Sequence, residues 1–193
     1  GVFGELDETP IPNGMVWNMV YDPDAPAGTI APCSHAELWE RVRVFLDAVL
    51  PVAEEAGVTL AAHPDDPPFD TVRGTPRLVN RPGLYQKLID LNPHPRNQLE
   101  YCLGTLAEMP EGDLYEATEN YAVQGRIAYV HFRNVRGRVP NYVETFIDEG
   151  DIDMPRVLGI LHHAGFDGVL IPDHSPVMSC PGGWHAGMAY AMG

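Results

Sequence analysis

The strongest constraint on this chain is a set of four short apolar runs, each preceded by a stretch of helical periodicity and each ending in a metal-capable polar side chain. The runs are Val58 to Ala62, Leu99 to Cys102, Ile127 to Phe132 and Val169 to Pro172, and the polar residues at or beside their C-terminal ends are His63, Cys102, His131 and Asp173. Successive members of this set lie 39, 29 and 42 residues apart, and each interval is long enough for a crossover helix. Helical periodicity covers 34 to 56, 84 to 91, 113 to 122 and 154 to 164. An α-β-α-β-α-β-α-β order implies parallel strands with right-handed crossovers. Such folds gather their chemistry at the C-terminal ends of the strands.

The first helix has the clearest boundaries. Ser34 and Glu37 stand at capping-box spacing, and Leu38, Val42, Phe45, Val49 and Val52 follow at helical spacing up to Gly57. Pro51 is expected to kink it. Residues 1 to 33 are rich in Pro, Gly and Asp and form a loop-rich N-terminal segment in which only Met15 to Tyr21 suggests an extended piece. Residues 34 to 193 read as the (β/α) portion of a single domain, with Gly187 to Gly193 resembling a helix just beginning. Four parallel strands fit either an open sheet or half of an eight-stranded barrel, which usually takes about 250 residues. At 193 residues, opening and closing in mid-pattern, the chain is expected to be part of a barrel.

Composition excludes several classes. Twelve Lys+Arg against 27 Asp+Glu give a formal net charge of −15, which argues against a nucleic-acid partner, since phosphate binding needs a basic surface. No run approaches the roughly 18 apolar residues of a membrane span, and no signal-peptide pattern opens the chain, so a cytoplasmic protein is expected. Cys33, Cys102 and Cys180 are odd in number and widely spaced, which speaks against a disulfide framework and for a free thiol or ligand.

Alternation along each strand places Thr59, Ala61 and His63 on one face, as it does Glu100 and Cys102, then Ile127, Tyr129 and His131, then Val169, Ile171 and Asp173. Two imidazoles, a thiolate and a carboxylate suit Fe(II), Mn(II), Co(II) or Zn(II) better than Mg or Ca, which prefer oxygen. His174, next to Asp173, is an acid/base candidate because an imidazole titrates near neutral pH. Arg77, Arg133 and Asn134 are candidates for an anionic substrate, although each arginine taken alone reads as a surface residue. Asp65 and Asp66 read as turn residues between prolines, and the acidic run Asp148 to Asp153 reads as a helix cap because its glycine spacing misses that of a calcium loop. His35, His94, His162 and His163 fall away from the strand ends.

Four stretches carry a family resemblance: Ala61-Ala62-His63-Pro64-Asp65-Asp66-Pro67-Pro68, Tyr129-Val130-His131-Phe132-Arg133-Asn134-Val135, Asp148-Glu149-Gly150-Asp151-Ile152-Asp153-Met154 and Pro172-Asp173-His174. From about residue 38 onward the chain resembles mannonate dehydratase. The resemblance implies a xylose-isomerase-like (β/α)8 barrel, a TIM barrel of which this chain covers mainly the C-terminal half. It implies a hydro-lyase that converts D-mannonate to 2-keto-3-deoxy-D-gluconate in hexuronate breakdown, with Mn(II) or Fe(II). The family's His, Cys, His and Asp ligands fall on His63, Cys102, His131 and Asp173, the four residues reached from the strand ends. The family's catalytic His falls on His174, whereas its downstream Tyr aligns near Gly183 or Trp184, leaving Tyr190 or His185 as substitutes.

Two other readings stand beside this one. A sugar isomerase or epimerase on the same barrel needs similar proton transfers, and a truncated half-barrel would bind metal or a sugar acid without turnover. Four parallel strands alone leave unpaired edges, so association, as a homo-oligomer such as a dimer, is expected.

Overall fold

Helix formation is set locally at Ser34, whose side chain accepts from the Glu37 amide while the Glu37 carboxylate accepts from the Ser34 amide at 2.7 Å. Gly57 ends the same helix in the left-handed conformation (φ 68°), which a residue with a side chain rarely adopts. The computed structural model describes residues 15–16, 31–72, 74–173 and 175–193. In chain order these form β1 (Met15–Val16), α1 (His35–Ala56), β2 (Leu60–Ala62), β3 (Thr71–Val72), β4 (Thr75–Pro76), α2 (Leu84–Leu91), β5 (Asn97–Cys102), α3 (Leu103–Glu108), α4 (Leu114–Val123), β6 (Ile127–His131), β7 (Asn134–Arg138), β8 (Asn141–Thr145), α5 (Met154–His163), β9 (Val169–Ile171), β10 (Val177–Met178) and α6 (Gly183–Met192). Most of the loop-rich segment expected over 1 to 33 lies outside the described residues, and so does His174.

The four expected strands are β2, β5, β6 and β9, hydrogen-bonded in that order into one parallel sheet. This is the α/β arrangement of a partial barrel, with β2 and β9 at its two edges. The helix over α1 continues through Pro51. Helix α6 begins at Gly183, earlier than its apolar pattern suggests. The hairpin β7–β8 and the short helix α3 have no counterpart in the sequence pattern, because neither carries a sustained period: Asn134 to Thr145 mixes Arg, Gly and Pro with its valines.

One face of the sheet packs on helices. Leu99 and Tyr101 are fully buried there, and the Tyr85, Tyr101 and Tyr121 rings meet at centroid distances of 5.5 to 6.3 Å, joining α2, β5 and α4. Centroid spacings in this range are favourable for aromatic pairs. The other face carries Glu100 and Cys102 on β5 and Tyr129 and His131 on β6, paired in register. A bulge between Leu99 and Glu100 corrects the strict alternation expected for β6. Ile127 pairs with Leu99 and joins the helix-side core, while Tyr129, two residues on, pairs with Glu100 on the opposite face. The inward set of β6 is therefore Tyr129 and His131 alone.

Candidate metal centre

The strand ends bring three donors together. One ligand atom each from His63, Cys102 and His131 lies within 4.8 Å of the other two, and the imidazole rings of His63 and His131 are 5.2 Å apart. Asp173 joins from the end of β9, with Oδ1 3.4 Å from His131 Nδ1 and Oδ2 4.0 Å from Cys102 Sγ. Its backbone is left-handed (φ 66°), a conformation that Asp tolerates better than most residues. Each of the four comes from a different strand end, as the spacing predicts.

Cys102 is fully buried at the junction of β5 and α3, where it caps the helix by accepting from the Thr105 amide. Thr105 Oγ1 lies 3.1 Å from the sulfur, and Arg133 Nη2 donates to it at 3.5 Å. Burial alone would raise the thiol's pKa. The Arg133 charge and the neighbouring His131 and His63 rings outweigh burial and bring it down to about 5, so the sulfur is a thiolate at neutral pH. Burial likewise opposes charge on His131, but Asp173 and the Cys102 thiolate prevail and raise it to about 10.

Both imidazoles are held by an acceptor on the side away from the thiolate. His63 Nδ1 lies 2.6 Å from the Pro64 carbonyl oxygen, and His131 Nε2 lies 2.7 Å from Glu100 Oε1. His131 Nδ1 is buried and makes no hydrogen bond of its own. A buried, unbonded ring nitrogen beside a thiolate and a carboxylate fits a metal ligand, since an ion satisfies all three donors at once.

Arg133 organises the charge around these donors. Its side chain is 1% exposed and reaches Asp66 Oδ2 at 2.7 Å, Asp173 Oδ2 at 3.2 Å and Glu108 Oε1 at 3.4 Å, and it also pairs with Glu144. Gly104 leaves the room it needs, because a Cβ there would sit 2.5 Å from Arg133 Nε. Burial pushes the Glu108 carboxyl well up, and although Arg133 opposes this, Asp66, Cys102 and Glu144 push the same way as burial. The anions of Cys102, Asp66, Glu144 and Asp173 outnumber the Arg133 guanidinium and the protonated His131 ring. That excess favours a divalent cation.

The residues expected to meet an anionic substrate make the following contacts in the fold. Arg133 is a buried counterion and not a surface arm. Asn134 is also buried, donating to the Ile147 and Ile152 carbonyls and accepting from the Val135 and Ile152 amides, so it ties β7 to the acidic run. Arg77 braces the loop after β2 through Asp65 at 3.2 Å and the Asp66 carbonyl at 3.1 Å. Asp65 fits its turn reading, because its carboxylate accepts from the Leu78 and Val79 amides. Among the described residues, Tyr190 contacts Asp148, to which its hydroxyl donates at 2.7 Å, and Phe146, and not the three-donor group. Glu100, Tyr129, Thr105 and Glu108 belong to the site without having been singled out. Only Glu100 and Tyr129 carried a sequence signal, their alternation with Cys102 and His131.

The family model described as D-mannonate dehydratase (UxuA) matches residues 29–190 of this chain. The chain belongs to the D-mannonate dehydratase family. Mannonate dehydratase 2 of Halalkalibacterium halodurans is 32% identical over 164 residues, covering 82% of this chain and 47% of the relative. The mannonate dehydratase of Streptococcus suis is 36% identical over 143 residues, 73% of this chain and 39% of the relative. The chain thus spans about half the length of the curated relatives it matches. The crystal structure of mannonate dehydratase from Streptococcus suis serotype 2 superposes with a TM-score of 0.82 at 29% identity, covering 98% of this chain and 58% of that one. The IOLI protein, solved with a zinc atom, gives a TM-score of 0.58 at 17% identity over 86% of this chain and 58% of its own, a likeness of fold. The D-mannonate dehydratase family and this shared architecture agree with the xylose-isomerase-like barrel expected from the motifs. Among the described residues no helix is long and apolar enough to cross a membrane.

Proposed function

We propose that this chain carries the metal centre of an enzyme that dehydrates D-mannonate to 2-keto-3-deoxy-D-gluconate, with His63, Cys102, His131 and Asp173 holding Mn(II) or Fe(II). The observation that carries this reading is the convergence of three donors within 4.8 Å at the strand ends of a D-mannonate dehydratase family member. A mixed N, S and O donor set suits borderline divalent ions. When bound, the ion supplies Lewis acidity toward the substrate's carboxylate and C2 oxygen.

Loss of water from a 2,3-dihydroxy acid removes the proton at C2 and needs a proton for the departing C3 hydroxyl. His174 is proposed as an acid/base group, supported by its place in Pro172-Asp173-His174 and by the near-neutral pKa of an imidazole. Tyr190 is not assigned the second proton, because its hydroxyl is engaged by Asp148. Arg133 serves the reaction indirectly by keeping Cys102 anionic and Asp173 in place. The cytoplasm is the proposed location, and association into a homodimer is proposed at β9, an edge strand among the described residues whose Val169 and Leu170 are exposed.

Metal analysis of the purified protein and product analysis with D-mannonate test this reading. Cys102→Ser should lose the metal, and His174→Asn should keep the metal but lose turnover. A 2-keto-3-deoxy acid supports elimination, whereas an isomer formed without loss of water establishes the isomerase or epimerase reading. Retention of metal and turnover in both variants refutes the assignment.

A further inference from the structure

We infer that Glu100, braced by Tyr129, is a positioning residue that fixes His131 in the tautomer presenting Nδ1 to the metal. This rests on the metal-centre reading above and goes beyond it by assigning a role to two residues outside the ligand set.

A neutral imidazole carries one proton and one lone pair, so the hydrogen bond at one nitrogen decides which nitrogen can ligate. Glu100 Oε1 lies 2.7 Å from His131 Nε2, with both side chains under a fifth exposed, at 17% and 12%. A carboxylate accepts and does not donate, so in the metal-bound ring, which keeps one proton, that proton belongs on Nε2 and the lone pair on Nδ1. It is Nδ1 that faces Asp173 at 3.4 Å and makes no hydrogen bond. His63 shows the reverse arrangement: its Nδ1 faces the Pro64 carbonyl at 2.6 Å, which leaves Nε2 as the ligating atom. The two histidines are thus expected to ligate through different nitrogens.

Backbone register explains why a side chain is needed at one and not the other. The acceptor for His63 is the carbonyl of the next residue, supplied by the turn itself. His131 ends β6 beside Cys102, and the adjacent inward position on β5 is Glu100, which pairs with Tyr129. Tyr129 completes the brace: it pairs with Glu100 across the two strands, and its ring stands edge-on to His131 at 5.6 Å. Carboxylates that orient metal-bound histidines typically contribute about 10- to 100-fold to metal affinity.

Nitrogen-15 spectra of histidine-labelled protein loaded with Zn(II) should place the His131 proton on Nε2 and the His63 proton on Nδ1. A proton on Nδ1 of His131 overturns the inference. In Mn(II) titrations against a competing chelator, Glu100→Ala should weaken affinity about 10- to 100-fold and Glu100→Gln, which keeps an acceptor oxygen, roughly three- to tenfold. An affinity within twofold of wild type in Glu100→Ala also overturns it, and if that variant does not fold, the same criterion applies to Glu100→Gln. Failure of the wild-type protein to bind either ion instead overturns the metal-centre reading on which the inference rests.

Discussion

Replacing Arg133 by Met tests whether the site is held together by one buried cation. Met keeps much of the side-chain length and removes the charge, leaving Asp66, Asp173 and Glu144 without the guanidinium that now reaches them. Breaking a buried ion pair from one side costs about 3–5 kcal/mol, because the remaining charge is desolvated and unpaired. Asp66 and Glu144 are 26% and 22% exposed, so water takes up part of their loss, while burial already disfavours charge on Glu108. The net expectation is the cost of about one buried pair, roughly 4 kcal/mol, a large fraction of the ~5–15 kcal/mol that stabilises a typical domain. At an m value of about 2 kcal/mol/M, the urea midpoint at pH 7 falls by about 2 M. Arg133→Lys restores charge without the forked geometry and should fall between the two. A midpoint change below about 0.5 M for Arg133→Met refutes the counterion role. A normal midpoint with a raised KM in Arg133→Lys restores the substrate-arm reading.

Two further outcomes test the same cluster. Gly104→Ala places a methyl 2.5 Å from Arg133 Nε, so the guanidinium must shift; thermal melting should show destabilisation of about 1–3 kcal/mol, and an unchanged melting temperature refutes the tight fit. In chelator-treated protein, Cys102 is depressed to about 5, so its stabilisation is present above the ordinary thiol range and lost as pH falls through about 5. His131 is raised from 6.5 to about 10, so its stabilisation is complete below pH 6.5 and lost as pH rises through about 10. The two slopes oppose one another between about pH 6.5 and 9, where the site's contribution should be level. The stability gap between wild type and Cys102→Ser, measured by urea midpoints, should therefore shrink from pH 7 toward pH 5, and a widening gap contradicts the thiolate assignment.

The sequence by itself determined the order of the four sheet strands and of the helices that precede them, the first helix's caps at Ser34 and Gly57, and the rim on which His63, Cys102, His131 and Asp173 stand. These follow from periodicity and from hydrogen bonds between near neighbours, both of which are local. Tertiary structure alone decided that Ile127 turns away from the site, because the bulge exists only in the pairing of β5 with β6. It also decided that Arg133 is buried among carboxyl groups contributed by Asp66, Glu108, Glu144 and Asp173, from four other parts of the chain. In sequence Arg133 is one arginine after a strand, and its environment comes from residues up to 67 positions away. Local spacing identifies which residues reach the rim; the charge, protonation and orientation they have there depend on what the rest of the fold packs against them.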